Sequence, residues 1–404
     1  MKIKITKGKP EGTVAAPPSK SMAHRLLICA GLSEGTSTIK GIAPSEDITA
    51  TLSCLKAIGA KWEMKADTCT ITGVKTCDIL PSETLNCNES GSTLRFLIPV
   101  LLASGKNTMM TGKERLMQRP LNVYETLCAE NNLTFERDNS SLLLKGPLKS
   151  GNFKLPGNVS SQFISGLLFA LPTLSGDSTI KILPPIESRP YIDMTISALK
   201  QFGVDVDWKD ENTITVKGDQ LYKAQDAVVE GDYSNAAFFD AMNNLGGNIE
   251  IENLKPESLQ GDKVFGKLFR QLSIGTPTIN ISACPDLGPV LFAVSACKNG
   301  GVFTGTARLK IKESDRGACM AEELKKFGVS VSVSDDEIII YPAEFHAPKE
   351  ALCGHNDHRI VMSMAVMSTV TGGIIDGAEA VAKSYPAFFD DLKALGIEVE
   401  EIEN

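Results

Sequence analysis

Apolar positions along this chain fall into two kinds of run, and the first kind recurs. After Pro17-Pro18-Ser19-Lys20-Ser21-Met22-Ala23-His24-Arg25 comes LLICAGL, apolar on every side from Leu26 to Leu32 until Gly31 and Gly35 interrupt it. Two prolines end an extended segment, Ser19 or Ser21 supplies a helix cap, and glycine stops the helix. A helix that is apolar all round must be buried. The layout returns in SGSTLRFLIPVLLASG from Ser90, SSQFISGLLFALPTLSG from Ser160, YSNAAFFDAMNNLGG from Tyr233, DLGPVLFAVSACKNGG from Asp286 and DHRIVMSMAVMSTVTGG from Asp357. Each copy precedes a short β-branched segment such as GTSTIKGI, GDSTIKIL or GGIIDGA. The second kind of run is amphipathic, rich in Lys and Glu, and ends in glycine: TLSCLKAIGA, TISALKQFGV, MAEELKKFGV, FFDDLKALGI. Buried helix, strand, outer helix, strand is therefore the predicted repeat.

Successive buried helices are about 70 residues apart, except between the fourth and fifth, where the spacing falls to roughly 50. The fourth repeat is expected to have lost a strand or two between Leu272 and Ile281. Six repeats divide as three and three, from Lys20 to about Val228 and from about Val229 onward, with the joint near Ala227 to Asp232. The expected class is α/β, with each half a strand-helix-strand-helix-strand-strand (βαβαββ) unit used three times. If the buried helices of each half point their starts the same way, the halves would face one another across a cleft lined by helix N-termini.

Length and composition agree with two cores, since 404 residues at 42% apolar exceed one ordinary domain. No run reaches the roughly 20 apolar residues of a membrane span, and MKIKITKGKP reads as an alternating strand without a signal-peptide core. A soluble, cytoplasmic, monomeric protein is expected. Several of the ten cysteines, such as Cys29, Cys54 and Cys297, lie in apolar runs without any CxxC pair, so they read as reduced core residues. A net charge of −8 argues against a general nucleic-acid binder.

The helix starts carry the chemistry. They collect Lys20, Ser21 and Arg25; Ser90, Gly91, Ser92 and Arg95; Ser160, Ser161 and Gln162; Asp286; and Asp357, His358 and Arg359. Arg119, Ser188, Arg189, Lys312, Glu313, Arg316 and Lys383 stand at the starts and ends of outer segments. An acidic chain that gathers its cations at helix starts is suited to small polyanions. Each terminus contributes about 0.3–1 kcal/mol toward an anion and each charge-assisted hydrogen bond about 1.5–3 kcal/mol. Other features read as structural. GDKVFGKL from Gly261 follows a Walker loop to Lys267, but Leu268 replaces the magnesium-binding Ser or Thr, so an outer helix is expected. His355 and His358 have a spacing that could place both on one helical face, but no third ligand accompanies them and no zinc site is expected. His24 and Glu89 read as structural.

PPSKSMAHR, GSTLR, Gln118-Arg119-Pro120, PGNVSSQF, SRPYID, VEGD, KESDR, NDHR and AKSYP, in this order across nearly the whole chain, resemble the EPSP synthase (3-phosphoshikimate 1-carboxyvinyltransferase) family. The resemblance implies a two-domain inverse α/β barrel in which residues 1–19 join 229–404, with 20–228 as the other domain and two chain crossings. It implies that Lys20, Ser21, Arg25, Ser160, Ser161, Gln162, Ser188, Asp286 and Lys312 hold shikimate 3-phosphate. Phosphoenolpyruvate falls to Lys20, Gly91, Arg119, Gln162, Arg316, Arg359 and Lys383. Neither metal nor cofactor is implied, and the partners are these two small molecules, without nucleic acid or membrane. Two positions depart from the family: Glu89-Ser90-Gly91-Ser92 stands for its usual Asn-x-Gly-Thr, placing a carboxylate beside the phosphoenolpyruvate site, and Arg308 stands where the family has an Asn.

The implied reaction adds the 5-hydroxyl of shikimate 3-phosphate to phosphoenolpyruvate and then eliminates phosphate. Asp286 is expected to accept the hydroxyl proton and Glu313 to deliver one to the methylene carbon, with Lys20 assisting. Two alternatives are weaker. UDP-N-acetylglucosamine enolpyruvyl transferase shares the chemistry but typically has Lys-Asn at the first cap and a cysteine before its Arg-Pro, whereas here Ser21 follows Lys20 and Gly112 to Arg119 holds no cysteine. A clamp-like DNA ring needs basic residues along exposed helical faces, and here the charges sit only at helix ends.

Overall fold

The computed structural model describes residues 1–402. The chain forms two compact units, Pro18–Glu230 and a second made of Met1–Pro17 with Gly231 onward. Within Pro18–Glu230 the predicted all-round apolar runs form the helices Lys20–Gly31, Gly91–Ser104 and Ser161–Ala170, nearly every residue of which is buried. In the other unit the equivalents are Tyr233–Asn244, Gly288–Cys297 and His358–Thr371. Five of the six start at a side-chain cap: Ser19, Ser90, Ser160, Asp232 and Asp357 each accept a backbone N–H from the first turn. Ser19, not Ser21, caps the first. Gly288–Cys297 is instead entered through a 3₁₀ turn at Pro285–Leu287.

Every complete repeat builds one four-stranded sheet. In the second, Leu85–Asn86 leads into the buried helix and pairs in parallel with Thr108–Thr111 that follows it, the crossover a parallel pair requires. The outer helix Asn122–Glu130 comes next, and the hairpin Thr134–Arg137 and Ser141–Lys145 then adds antiparallel to Thr108–Thr111. The fourth repeat departs as the short spacing predicts. After Asn248–Glu252 and the outer helix Phe265–Ile274 the chain goes directly to Thr278–Asn280 of the next sheet, so the hairpin is missing and the sheet has two strands. The same helix contains the Walker-like residues Phe265 to Leu268, so no phosphate loop forms there.

Strands from distant parts of the chain complete three sheets. Ala227–Val228 pairs in parallel with Thr36–Lys40 and leads the first repeat's sheet. Glu11–Ala15 pairs with Asn248–Glu252, and Lys2–Ile5 lies between Gly373–Asp376 and Val399–Ile402. Among the described residues no helix is long and apolar enough to cross a membrane.

One contact shows how tightly the buried helices fit. Pro99 lies inside the Gly91–Ser104 helix and has no N–H, so the Arg95 carbonyl loses its helical donor. Tyr124 Oη fills that role, its single O–H shared between Arg95 O at 2.9 Å and Phe163 O at 3.0 Å. The hydroxyl reaches both carbonyls only because residue 166 is glycine: a Cβ there would stand 2.2 Å from Tyr124 Oη and 2.4 Å from Arg95 O. Gly166→Ala is therefore expected to destabilise the protein by about 1–3 kcal/mol, while Gly151→Ala, whose Cβ meets nothing within 4 Å, changes it by under about 0.5 kcal/mol. Urea midpoints of the two variants against the parent give the comparison, and equal midpoints would refute it.

Candidate functional site

Unit Pro18–Glu230 brings together the starts of its three buried helices. Lys20 is the first residue of its helix, and its Nζ lies 2.7 Å from Asp47 Oδ2, both side chains being mostly buried. Arg25 turns inward: NH1 donates to the Ser21 carbonyl at 2.6 Å, Nε to Thr195 Oγ1 at 2.8 Å and NH2 to the Tyr191 carbonyl at 2.9 Å. Its guanidinium also lies 5.2 Å from the Phe96 ring centroid. Burial pushes its pKa down to about 10. With every nitrogen bonded to protein, Arg25 braces the Lys20–Ser21 turn against the helix Arg189–Gln201.

Hydroxyls link the first two starts. His24 Nδ1 lies 2.8 Å from Thr51 Oγ1, Thr51 Oγ1 is 2.6 Å from Thr93 Oγ1, and Thr93 donates to Ser90 Oγ at 2.7 Å. Burial, with Lys20 and Arg25 nearby, holds the His24 pKa well below its ordinary value, so the ring is neutral. The second and third starts are joined by Gln162, whose Oε1 accepts from Arg95 NH1 at 2.7 Å and whose Nε2 donates to Ser92 Oγ at 3.0 Å. Ser160 caps this helix, and Ser161 is its buried first residue. Ser188 is buried with φ +54°, a conformation costing a non-glycine residue of order 1 kcal/mol or more.

Arg119 follows the short helix Glu114–Gln118 and is buried, with no protein acceptor among the described residues for its Nε. A Cβ at residue 91 would stand 2.7 Å from Arg119 NH1, so glycine is what lets the guanidinium lie against the first turn of that helix. The Glu89 carboxylate that the sequence puts beside this region is paired with Lys113 Nζ at 3.2 Å.

In the other unit the centre is Arg316, 1% exposed at the start of the outer helix Arg316–Lys326. Its NH1 donates to Asp286 Oδ1 at 2.8 Å, NH2 to Glu313 Oε2 at 2.7 Å, and Nε to Asp357 Oδ2 at 2.8 Å. Ser314 Oγ donates to Asp357 as well, and Asp357 caps the His358–Thr371 helix through the Arg359 N–H. Asp286 also faces Lys312 Nζ at 3.1 Å and Arg359 NH2 at 3.5 Å. Burial alone would raise the Asp286 pKa, but Lys312, Arg359 and Arg316 together outweigh it and hold the carboxyl well below the usual range. Burial lowers the Lys312 pKa against the pull of Asp286. Arg359 is 5% exposed, and its Nε and NH1 are buried with no protein acceptor among the described residues. Lys383 Nζ donates to the Asn356 carbonyl at 2.6 Å, and Arg308 NH2 to the Ser282 carbonyl.

The sequence-predicted residues thus gather in two groups, Lys20, Ser21, Arg25, Gly91, Arg119, Ser160, Ser161, Gln162 and Ser188 in one unit and Asp286, Lys312, Glu313, Arg316, Arg359 and Lys383 in the other. Asp286 sits on the 3₁₀ turn that leads into its helix and not on the helix itself. Sequence reasoning placed Arg95 and Asp357 among the helix-start residues but assigned them to neither substrate, and it did not single out Asp47. The cap position of Asp357 in NDHR was a signal for it; nothing marked Asp47. The pairing of His355 with His358 on one helical face is wrong: the helix begins at His358, and His355 precedes it with φ +48°. His355 instead meets Glu323, and Glu322, Glu323 and His355 offer ligand atoms within 4.8 Å of one another. Lys326 already occupies both oxygens of Glu323 at 3.1 and 3.0 Å, which disfavours a metal there.

Comparison with known proteins identifies the family of the chain. The profile of EPSP synthase (3-phosphoshikimate 1-carboxyvinyltransferase) matches residues 5–392. The chain is 40% identical over 425 residues to the 3-phosphoshikimate 1-carboxyvinyltransferase of Clostridium kluyveri, covering 99% of this chain and 98% of that one. It is 38% identical over 430 residues to that of Clostridioides difficile, with the same coverage. Among solved structures, EPSP synthase from Acinetobacter baumannii superposes with a TM-score of 0.78 at 25% identity, over 99% of this chain and 100% of that chain. The enolpyruvyl transferase NikO from Streptomyces tendae shares the fold, with a TM-score of 0.80 at 13% identity over 99% and 98% of the two chains. The chain belongs to the EPSP synthase (3-phosphoshikimate 1-carboxyvinyltransferase) family.

Proposed function

We propose that this protein transfers the enolpyruvyl group of phosphoenolpyruvate to the 5-hydroxyl of shikimate 3-phosphate, releasing phosphate, in the biosynthesis of chorismate and the aromatic amino acids. The observation that carries this reading is the relationship to curated 3-phosphoshikimate 1-carboxyvinyltransferases over essentially the whole length of both chains. Buried cations at capped helix starts support it, because both substrates are small polyanions.

Shikimate 3-phosphate is assigned to Lys20, Ser21, Ser160, Ser161, Gln162 and Ser188, with Arg25 keeping the Lys20–Ser21 turn in place. Lys312 and Asp286 are assigned to it as well. Phosphoenolpyruvate is assigned to Arg359, Lys383 and Arg119, with Gly91 making room for the last and Lys20, Gln162 and Arg316 completing the set. Arg316 is already bonded to three carboxylates, so its larger part is to fix Asp286 and Glu313 on one planar guanidinium. That fixed spacing suits a reaction in which one group takes a proton and another gives one.

Asp286 takes the proton of the attacking hydroxyl, and Glu313, protonated from solvent before the addition, gives that proton to the methylene carbon and is left as the carboxylate that Arg316 binds. While Lys312, Arg359 and Arg316 face Asp286 its pKa is held low and it is a weak base. Substrate anions that draw Lys312 and Arg359 toward themselves remove part of that stabilisation, so the Asp286 pKa rises and the base strengthens as the site fills.

Phosphate release should require both substrates; release from phosphoenolpyruvate without shikimate 3-phosphate would undo the assignment. Arg359→Ala should raise KM for phosphoenolpyruvate by about 10–100-fold, the equivalent of one or two charge-assisted hydrogen bonds. Calorimetry should find its shikimate 3-phosphate affinity within about threefold of the parent, and the opposite pattern would invert the map. Asp286→Asn and Glu313→Gln should each lower kcat by about 10²–10⁴-fold with much smaller changes in KM. A Glu313→Gln variant that keeps kcat within about threefold would leave Glu313 as an ion-pair partner of Arg316 only.

A further inference from the structure

His24 is buried on the Lys20–Gly31 helix and belongs to neither assigned substrate set, yet it ends a run of side-chain bonds that crosses the helix Glu46–Ala57 to the start of Gly91–Ser104. The direction of each bond follows from counting protons, because a Ser or Thr hydroxyl has a single O–H to give. Thr93 gives its own to Ser90 Oγ at 2.7 Å. In its 2.6 Å contact with Thr51 Oγ1 it must then accept, and Thr51 donates. Thr51 has thereby used its proton, so at 2.8 Å it accepts from His24 Nδ1. The ring is protonated at Nδ1. Burial, with Lys20 and Arg25 nearby, keeps it neutral, so Nε2 is bare, and Nε2 is the ring nitrogen that is buried without a protein partner among the described residues. The other tautomer would bury an N–H without an acceptor and set the Nδ1 lone pair against one of Thr51.

The run ends at a helix cap. Ser90 Oγ accepts from the Thr93 N–H at 3.2 Å as well as from the Thr93 hydroxyl, so both of its lone pairs are used. Ser90 is fully buried, and its own proton has no protein acceptor among the described residues. It caps the turn at Gly91, against which the Arg119 guanidinium lies. Run in the opposite direction, the same chain would spend the Ser90 proton on Thr93 and leave a lone pair at the helix start, where it would repel an anion. We propose that His24 is a positioning residue that acts through Thr51 and Thr93: its Nδ1–H sets the direction of the chain, so that the Ser90 cap is fixed and keeps a donor, not a lone pair, for the anion at the Gly91 start. This role rests on the assignment of phosphoenolpyruvate to Gly91 and Arg119.

Histidine-selective ¹⁵N labelling of the full chain reads the ring directly. The chain has four histidines, and the signal that disappears in His24→Asn belongs to His24. In the parent at neutral pH it should be that of a neutral ring protonated at Nδ1, and a ring protonated at Nε2 alone would overturn the proposal. Asparagine carries an N–H where histidine has Nδ1, whereas leucine has no donor. His24→Asn should therefore keep KM for phosphoenolpyruvate within about twofold of the parent, and His24→Leu should raise it by about 3–10-fold, the equivalent of one neutral hydrogen bond. In both variants calorimetry should find the shikimate 3-phosphate affinity within about twofold of the parent. If His24→Leu does not fold, Thr51→Val cuts the chain at its middle and should give the same split. Equal KM values in the leucine and asparagine variants, or equal losses for the two substrates, would remove the positioning role. A parent that shows the Nδ1–H ring but releases no phosphate from the two substrates together would overturn the proposed reaction and this role with it, while the direction of the chain would stand.

Discussion

A single guanidinium organises the chemistry of the unit that contains it. Arg316 is almost wholly buried and gives one nitrogen to each of Asp286, Glu313 and Asp357. Burying these charges is costly, and the cost is offset only because three carboxylates meet three cations, Arg316, Lys312 and Arg359. The cluster is balanced as it stands. An arriving anion therefore has to compete with Asp286 for Lys312, whereas Arg359 faces Asp286 through NH2 alone and its Nε and NH1 have no protein acceptor among the described residues; neither route requires moving Arg316. That division makes one cation a fixed frame and two cations available to a ligand.

In the unit Pro18–Glu230, hydrogen bonds of uncharged groups take a larger part. Pro99 removes one helical N–H, Tyr124 supplies its hydroxyl instead, and Gly166 leaves room for it. The same turn carries Arg95, whose guanidinium lies 5.1 Å from the Phe163 ring centroid and holds Gln162, so the kink, the helix contact and the orientation of Gln162 are one feature. Ser90, Thr93, Thr51 and His24 continue the network toward the first helix. A neutral His24 suits that position, because a third positive charge beside Lys20 and Arg25 would have to be buried without a counter-ion.

Much of this fold was legible in the sequence for a definite reason. LLICAGL and FISGLLFALP are apolar around the whole helical circumference, a pattern with one stable solution, and Ser19, Ser90, Ser160 and Asp357 mark where each such helix begins. The lost hairpin was legible because its absence shortens a regular spacing. Ala227–Val228 was not: two residues carry no periodicity, and their partner Thr36–Lys40 lies near the other end of that unit. Lys2–Ile5 reads as a strand, but its neighbours Gly373–Asp376 and Val399–Ile402 could be placed only through family resemblance. The His355 error has the same origin, since a spacing of three implies a shared face only if both residues lie on one helix, and Asp357 starts the helix after His355.

The site was legible as a set of residues but not as a set of roles, and the arginines show why. In sequence Arg25, Arg316 and Arg359 look alike, each a cation at or near a helix start. In the fold Arg25 and Arg316 have a protein acceptor at every nitrogen. Among the described residues, Arg359 keeps two buried nitrogens without one. A ligand that approached Arg25 would have to displace bonds already made and would gain little net energy. A ligand that approaches Arg359 has no protein bond to displace at Nε or NH1, so more of the strength of a charge-assisted hydrogen bond is available to it. Which kind of arginine a helix start carries depends on what faces it from other helices, Thr195 and Tyr191 for Arg25 and Asp286 for Arg359, and that information lies far away in the chain.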